Sequence, residues 1–236
     1  MTDLDDLVAA RAAVRRTIEA AAARVGRDPE GVSIVAVSKT VAPERILAAS
    51  VAGFDAFGEN RVQERAAKAE ATETMIAVWH LVGPLQSNKA RRAVELFDVI
   101  ETVDSLALAA RVSRISSELR PGRPLPVFLQ VNVDEDAAKA GFEPIEMERD
   151  LAEILELRGI AVEGLMTVGR LVERPELARP TFVGLRALSE RLRARHPGLG
   201  PGLSMGMSED YPIAVEEGAT LVRIGRAIFG ERRPLA

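Results

Sequence analysis

The chain has 236 residues, 35 acidic against 31 basic side chains for a formal net charge of −4, and no cysteine. This excludes a disulfide scaffold, a thiolate metal site and a cysteine nucleophile, and it argues against a dedicated nucleic-acid binder, which carries an excess of Lys and Arg. No apolar run approaches the ~20 residues that span a bilayer, and the acidic opening Asp3-Leu4-Asp5-Asp6 is unlike a signal peptide, so a soluble cytoplasmic protein is expected.

Residues 1–25 read as a helix. Leu4, Leu7, Val8, Val14, Ile18, Ala22 and Val25 recur near a 3.6-residue period. Thr2 and Asp5 form a capping pair at its start, and Gly26 follows its end. Eight short apolar runs then alternate with helical patterns. The expected strands are Ser33–Ser38, Phe54–Phe57, Ile76–Leu81, Val99–Val103, Val127–Val133, Ile160–Met166, Gly202–Met205 and Thr220–Ile224. Between them, Pro43 starts a helix that Gly53 ends, and Asn60 with Gln63 looks like a capping pair opening the next. Asp104 precedes the helical stripe Leu108, Val112 and Ile115, which Pro121-Gly122 stops. Pro144 opens the helix carrying Leu151, Ile154 and Leu155. Pro180 divides the sixth helical region in two, and Ser208 is placed to cap the helix before Gly218.

Alternating strands and helices imply right-handed βαβ units and a parallel sheet. Eight units in about 200 residues match the (β/α)8 TIM barrel in number and size. A doubly wound open sheet is the competitor, but no strand is followed by G-x-G-x-x-G. The cluster Gly198, Gly200, Gly202 and Gly206 has the wrong spacing and contains Pro201. The expectation is a single α/β domain over residues 1–236, with residues 1–30 as an extra N-terminal helix packed on the barrel.

In a barrel, function collects after the carboxyl ends of the strands. Those positions hold Lys39; Glu59-Asn60; Trp79-His80 and the Gly83–Lys89 segment; Asn132; Met166; Ser204–Ser208; and Arg223–Arg226. Barrels often seat a phosphate between the loops after strands seven and eight. Gly206, Ser208 and Gly225 suit that role, although an ordinary N-cap and an ordinary turn glycine would read the same way. Lys39 is either a solvated charge or, partly desolvated at the barrel mouth, an amine able to form a Schiff base. A phosphate site opposite such a lysine suggests a phosphorylated aldehyde. His80 and His196 lie in no metal-binding spacing, and His196 reads as a helix-end residue. No G-x-S-x-G elbow occurs, the arginine clusters read as solvated faces, and Trp79 reads as core.

Several segments together resemble one family: Ala36-Val37-Ser38-Lys39-Thr40, Phe57-Gly58-Glu59-Asn60 with Gln63-Glu64, the W-H-x-x-G-P-x-Q-x-N-K string over residues 79–89, Gln130–Val133, Gly164-Leu165-Met166, Leu203–Ser208 and Val222–Gly230. In order from residue 32 to 231, they resemble the pyridoxal 5′-phosphate homeostasis proteins, relatives of the N-terminal barrel of alanine racemase. The resemblance implies that Lys39 carries pyridoxal 5′-phosphate as an internal aldimine. It implies that Ser208, Gly225 and the backbone at Arg226 hold the phosphate with Ser204 nearby, that Asn60 and Met166 line the pocket, and that Arg223 faces the pyridine nitrogen. Arg226 departs from the Thr that many members carry, and Val41-Ala42 replaces a more polar pair.

Two function classes compete. One is a carrier that buffers and delivers the cofactor inside the cell, which the resemblance implies. The other is a pyridoxal-phosphate-dependent amino-acid racemase, which needs two acid/base groups, one for each face of the substrate Cα. In the racemases this barrel resembles, the second is a tyrosine supplied through a C-terminal β-domain; here the chain ends about a dozen residues after the eighth strand, and its one tyrosine is Tyr211. Tyr211 is expected at the phosphate end of the cofactor. The expectation is a non-catalytic monomer with apo pyridoxal-phosphate enzymes as recipients and no nucleic-acid or membrane partner. A third reading is a plain barrel scaffold for protein partners.

Overall fold

Each of the eight apolar runs becomes a strand, and each strand pairs in parallel with the next. The computed structural model describes residues 3–169 and 173–231. Within them β1 (Ser33–Val37), β2 (Ala56–Glu59), β3 (Val78–Leu81), β4 (Val99–Val103), β5 (Leu125–Gln130), β6 (Ile160–Met166), β7 (Gly202–Ser204) and β8 (Leu221–Ile224) form a closed barrel in chain order. The closing pair is β1 with β8, in register from Ser33 opposite Leu221 to Ala36 opposite Ile224. That pairing rules out the open doubly wound sheet.

Successive side chains along a strand face opposite sides, and the barrel uses this alternation to build two cores. Outward residues such as Ile34, Ala36, Ile100 and Val222 join the large cluster under the helices. Inward residues Val35, Val99, Phe128, Met166 and Leu221 form a small apolar cluster of their own. The helices are α1 (Asp3–Arg24), α2 (Pro43–Val51), α3 (Val62–Lys68), α4 (Ala90–Leu96), α5 (Leu106–Leu119), α6 (Pro144–Leu155), α7 (Arg179–Arg195), α8 (Tyr211–Glu216) and α9 (Arg226–Phe229). The N-terminal helix α1 buries Leu7, Val14, Ile18, Ala21 and Ala22 and lies against α2, α8 and α9. Leu4, Val8 and Val25 of the expected stripe are exposed. Asp3, Asp5 and Asp6 sit in its first turn, where the helix dipole favours acids; Thr2 of the expected capping pair lies outside the described residues. No helix among the described residues is long and apolar enough to cross a membrane.

Several local expectations are corrected. Phe54 is buried, but its N–H still bonds Ala49 O at the end of α2, so β2 starts at Ala56. Ile76 is 96% exposed and precedes β3. The fifth strand runs from Leu125 to Gln130, after which Asn132 N–H turns to Phe142 O at 2.9 Å. Arg61, not Asn60, is the N-cap of α3, with no side-chain bond, and Ser105, after Asp104, caps α5 by accepting from Leu108 N–H at 3.3 Å. Pro180 falls in the first turn of α7, preceded by a 3-10 turn at Pro175–Ala178. The proline therefore opens the longer piece, where its missing N–H costs nothing.

Candidate functional site

A cavity of about 1280 Å³ opens at the carboxyl ends of the strands. Val37 lines it from the inward side of β1, and Lys39, two residues on, lines it too. In the same way Leu221 packs inside the barrel, and Arg223, two residues further along β8, reaches the cavity. Asn60 contributes from the loop after β2, and Ser208, Gly225 and Arg226 from the loops after β7 and β8. Six of the eight residues singled out from the sequence therefore share one cavity wall. Met166 and Ser204 do not line it. Met166 is fully buried in the inner apolar cluster, and Ser204 is fully buried behind Arg223.

Ser208 does not cap α8, whose N-cap is Asp210. Its Oγ instead accepts from Gly225 N–H at 3.3 Å and, more weakly, from Ala227 N–H at 3.4 Å. The hydroxyl thus ties the loop after β7 to the loop after β8. The loop after β7 is fixed in turn by Asp210 Oδ1, which accepts Met207 N–H at 2.6 Å. Gly206 is demanded there twice over, by a φ of +93° and by Ala214 Cβ, which a Cβ on residue 206 would meet at 2.6 Å. Gly225 is different. Its φ is −110°, and an added Cβ would meet only Val37 at 3.4 Å and beyond. Neither backbone nor packing requires glycine there; its bare Cα leaves the cavity wall open to a ligand.

Behind the wall lies a buried polar chain. Arg223 donates to Ser204 Oγ and, through Nη2, to Thr167 O at 2.7 Å. Ser204 Oγ donates to Glu101 Oε2 at 2.6 Å, and His80 Nδ1 meets Glu101 Oε1 at 2.7 Å. Burial, the largest influence on Glu101, pushes its carboxyl up, but His80, Arg223 and Ser204 together outweigh it and hold the group below the usual carboxylate value. Burial likewise lowers the Arg223 guanidinium from its usual value, against the opposing pull of Glu101 and Asp210. It remains a cation, because arginine starts so high. The sequence makes His80, with Tyr211, a candidate second acid/base group, whereas the structure engages His80 with Glu101. Glu101 itself is not among the expected site residues. The available signal was a carboxylate in the middle of the apolar run Val99-Ile100-Glu101-Thr102-Val103, which is tolerated only where partners await it.

Other candidates fall into the framework. Asn132 closes a turn with the backbone of Asp136 at 2.9 and 3.2 Å. Tyr211 is buried in the outer core, beneath Gly206, and is not part of the cavity wall. Trp79 is core, 5.5 Å from the Phe57 ring, with the Arg65 guanidinium 4.0 Å from its ring centroid. His196 is the C-cap of α7. No group of three or more His, Cys, Asp or Glu among the described residues could hold a metal ion.

The closed parallel barrel carries a lysine, a buried arginine and two glycine-containing loops at its carboxyl end, and the sequence pattern of the alanine racemase N-terminal domain matches residues 10–233. The chain belongs to this family, and within it sits among the pyridoxal phosphate homeostasis proteins. It is 42% identical to the pyridoxal phosphate homeostasis protein of Vibrio cholerae, over 91% of this chain and 92% of that one. It is 38% identical to the protein of the same name from Escherichia coli K12, over 97% and 98%. The structure of PipY from Synechococcus elongatus with PLP bound superposes with a TM-score of 0.80 at 42% identity, over 91% of this chain and all of that one. An alanine racemase from Clostridium difficile, 17% identical, shares the fold with a TM-score of 0.74, over 97% of this chain and 57% of its own.

Proposed function

We propose that this chain holds pyridoxal 5′-phosphate on Lys39 and serves its homeostasis, buffering and delivering the cofactor rather than turning over amino acids. The observation that carries the reading is the single cavity wall shared by Lys39, Arg223 and the Ser208–Gly225 contact. When bound, pyridoxal phosphate supplies an electrophilic aldehyde on an electron-withdrawing ring. Lys39 contributes the amine that bonds the aldehyde carbon, with loss of water. Ser208 Oγ and the backbone N–H groups of Gly225 and Arg226 receive the phosphate. Arg223 would lie on the side of the ring nitrogen and, being a permanent cation, could donate to it without giving up a proton. Asn60 bounds the pocket from the β2 side, Met166 supports it from within the barrel, and Ser204 fixes Arg223 in place.

The racemase alternative needs a second acid/base group at the cavity; Tyr211 is buried under Gly206 instead, and Lys139, which lines the cavity, is paired with Asp134 at 2.8 Å. Residues 1–236 are read as one cofactor-binding unit, a cytoplasmic monomer whose recipients are apo pyridoxal-phosphate enzymes, with no nucleic-acid or membrane partner. The test is the visible spectrum of the purified protein before and after borohydride, followed by peptide mapping. A yellow protein whose pyridoxyl group maps to Lys39 is expected; a colourless protein, or the group on Lys89 or another lysine, overturns the assignment.

A further inference from the structure

The two peptide groups that flank the Cα of Lys39 carry the C=O of Ser38 on one side and the N–H of Thr40 on the other, and side chains of one short helix hold both. Lys68 Nζ donates to Ser38 O at 2.9 Å, and Thr40 N–H donates to Glu64 Oε1. Glu64 and Lys68 lie one turn apart on α3 and are ion-paired to each other at 3.2 Å. Peptide groups are planar, so fixing the planes on both sides of a residue fixes its φ and ψ. One ion pair therefore sets the backbone from which the Lys39 side chain leaves.

The pair is anchored in turn. Lys68 Nζ also meets Glu59 Oε1 at 2.8 Å, and the same oxygen accepts from Ser38 Oγ at 2.7 Å. Glu59 is fully buried, and burial, the largest influence on it, pushes its carboxyl above the usual value in spite of Lys68 and Ser38. Its second oxygen has no hydrogen-bond partner. Thr40 sits at a φ of +64°, a left-handed conformation unusual for a β-branched residue, so this turn needs support from outside itself. Buried ion pairs are a poor way to gain stability, since apolar replacements of similar volume often serve as well or better. What this cluster supplies is direction.

We propose that the Glu64–Lys68 pair is a positioning device for Lys39, holding its backbone so that its amine meets the aldehyde of the bound cofactor; this rests on the reading that Lys39 carries pyridoxal phosphate. Neither residue touches the cofactor in this scheme. Two ligands separate positioning from plain structural support. Pyridoxal 5′-phosphate can bond the Lys39 amine, a carbon–nitrogen double bond forming as the aldehyde oxygen leaves as water. Pyridoxine 5′-phosphate has the same ring and phosphate but an alcohol, and cannot.

Glu64 is 22% exposed in its side chain, so Glu64→Ala and Glu64→Gln should both fold, which melting temperature checks. Glu64→Ala is expected to weaken pyridoxal phosphate about tenfold, as misplacing a reacting group does, and to leave pyridoxine phosphate within about twofold of the parent. Glu64→Gln keeps an oxygen for Thr40 N–H and should recover most of the loss. Lys68→Gln, which gives up the charge but leaves a donor for the Ser38 carbonyl, should show the same selectivity in reduced form. Equal losses for both ligands, or no loss for either, overturn the inference. Lys39→Ala is the control: if it leaves pyridoxal phosphate binding and absorbance unchanged, the proposed function itself falls, and this inference with it. If Lys39→Ala abolishes the yellow species while Glu64→Ala binds like the parent, only the positioning role falls.

Discussion

Glu101 and Arg223 form a buried ion pair whose charged atoms stand 3.6 Å apart, and the hydroxyl of Ser204 bridges them by accepting from the guanidinium and donating to the carboxylate. Both charges are buried within the barrel, with His80 on the far oxygen of Glu101. Removing one member of such a pair leaves the other uncompensated, which costs roughly 3–5 kcal/mol. Glu101→Ala is therefore expected to lower unfolding stability by about that amount in denaturant titration, and to weaken pyridoxal phosphate through a displaced Arg223. A stability change below about 1 kcal/mol would show that the pair is screened like a surface one.

The same carboxylate predicts a pH dependence. The folded state holds Glu101 below its ordinary value of 4.5. For a depressed carboxylate the folded state binds its proton less readily than the unfolded chain, so the stabilisation is complete above the unfolded value and is lost as pH falls through the folded one. Stability should thus fall as the solution is acidified below about 4.5, and Glu101→Gln should flatten that decline relative to the parent. An unchanged slope in Glu101→Gln between pH 5 and pH 2, both approximate bounds on the carboxylate range, would assign the acid sensitivity to other groups.

Two glycines in neighbouring loops should respond in opposite ways. Gly206→Ala meets Ala214 Cβ at 2.6 Å and Tyr211 Cα at 2.9 Å at a positive φ, so it should destabilise the protein by about 2 kcal/mol or more. Gly225→Leu meets no close neighbour at Cβ and should melt near the parent. It should instead weaken pyridoxal phosphate roughly a hundredfold, about 3 kcal/mol, while leaving pyridoxal much less affected. Calorimetry with both ligands on both variants checks this; equal loss of the two ligands in Gly225→Leu would remove the phosphate from that loop.

How far the sequence reached can be read from these same residues. The barrel was legible because short apolar runs and helical patterns alternate eight times, and the positions of Lys39 and Gly225 at the cavity were legible because strand ends are marked by where apolar runs stop. Ser208 lines the cavity but does not cap α8 as its local pattern suggests. An N-cap is a local pattern, whereas its actual donors, Gly225 and Ala227, lie 17 and 19 residues away across two loops. Glu101 and Ser204 are 103 residues apart, and only closure of the barrel brings them together. The false start of the second strand at Phe54 has a similar origin, since a buried aromatic can belong to the end of a helix as well as to a strand.

Arg226 tests whether a charge beside the phosphate loop matters. Its side chain is half exposed and paired with Glu209 at 2.6 Å. Exposed pairs contribute about 0–1 kcal/mol and are screened by salt. Arg226→Thr, which removes the charge and keeps a short polar side chain, should leave stability within that range. It should change pyridoxal phosphate affinity by less than about threefold at physiological salt, with any difference growing at low ionic strength. A tenfold or larger loss that persists in high salt would mean the guanidinium itself holds the phosphate.

The choice between carrier and enzyme comes down to turnover. A positioned general base or acid is worth roughly 10²–10⁴-fold in rate, and racemisation needs one on each face of the substrate Cα. The chain's one tyrosine is buried away from the cavity wall, and His80 is engaged with Glu101 inside the barrel. The expected result is therefore slow racemisation of alanine and other amino acids in long incubations followed by chiral analysis, together with ready reactivation of an apo pyridoxal-phosphate enzyme by the loaded protein. The two assays belong on one sample, because a carrier must pass the second while failing the first. Racemisation at about 1 s⁻¹ or faster that disappears in Lys39→Ala would make the protein an enzyme. Lys139, which lines the cavity and pairs with Asp134 at 2.8 Å, would then be the first residue to examine as the second base, since its amine already stands at the cavity where Tyr211 does not.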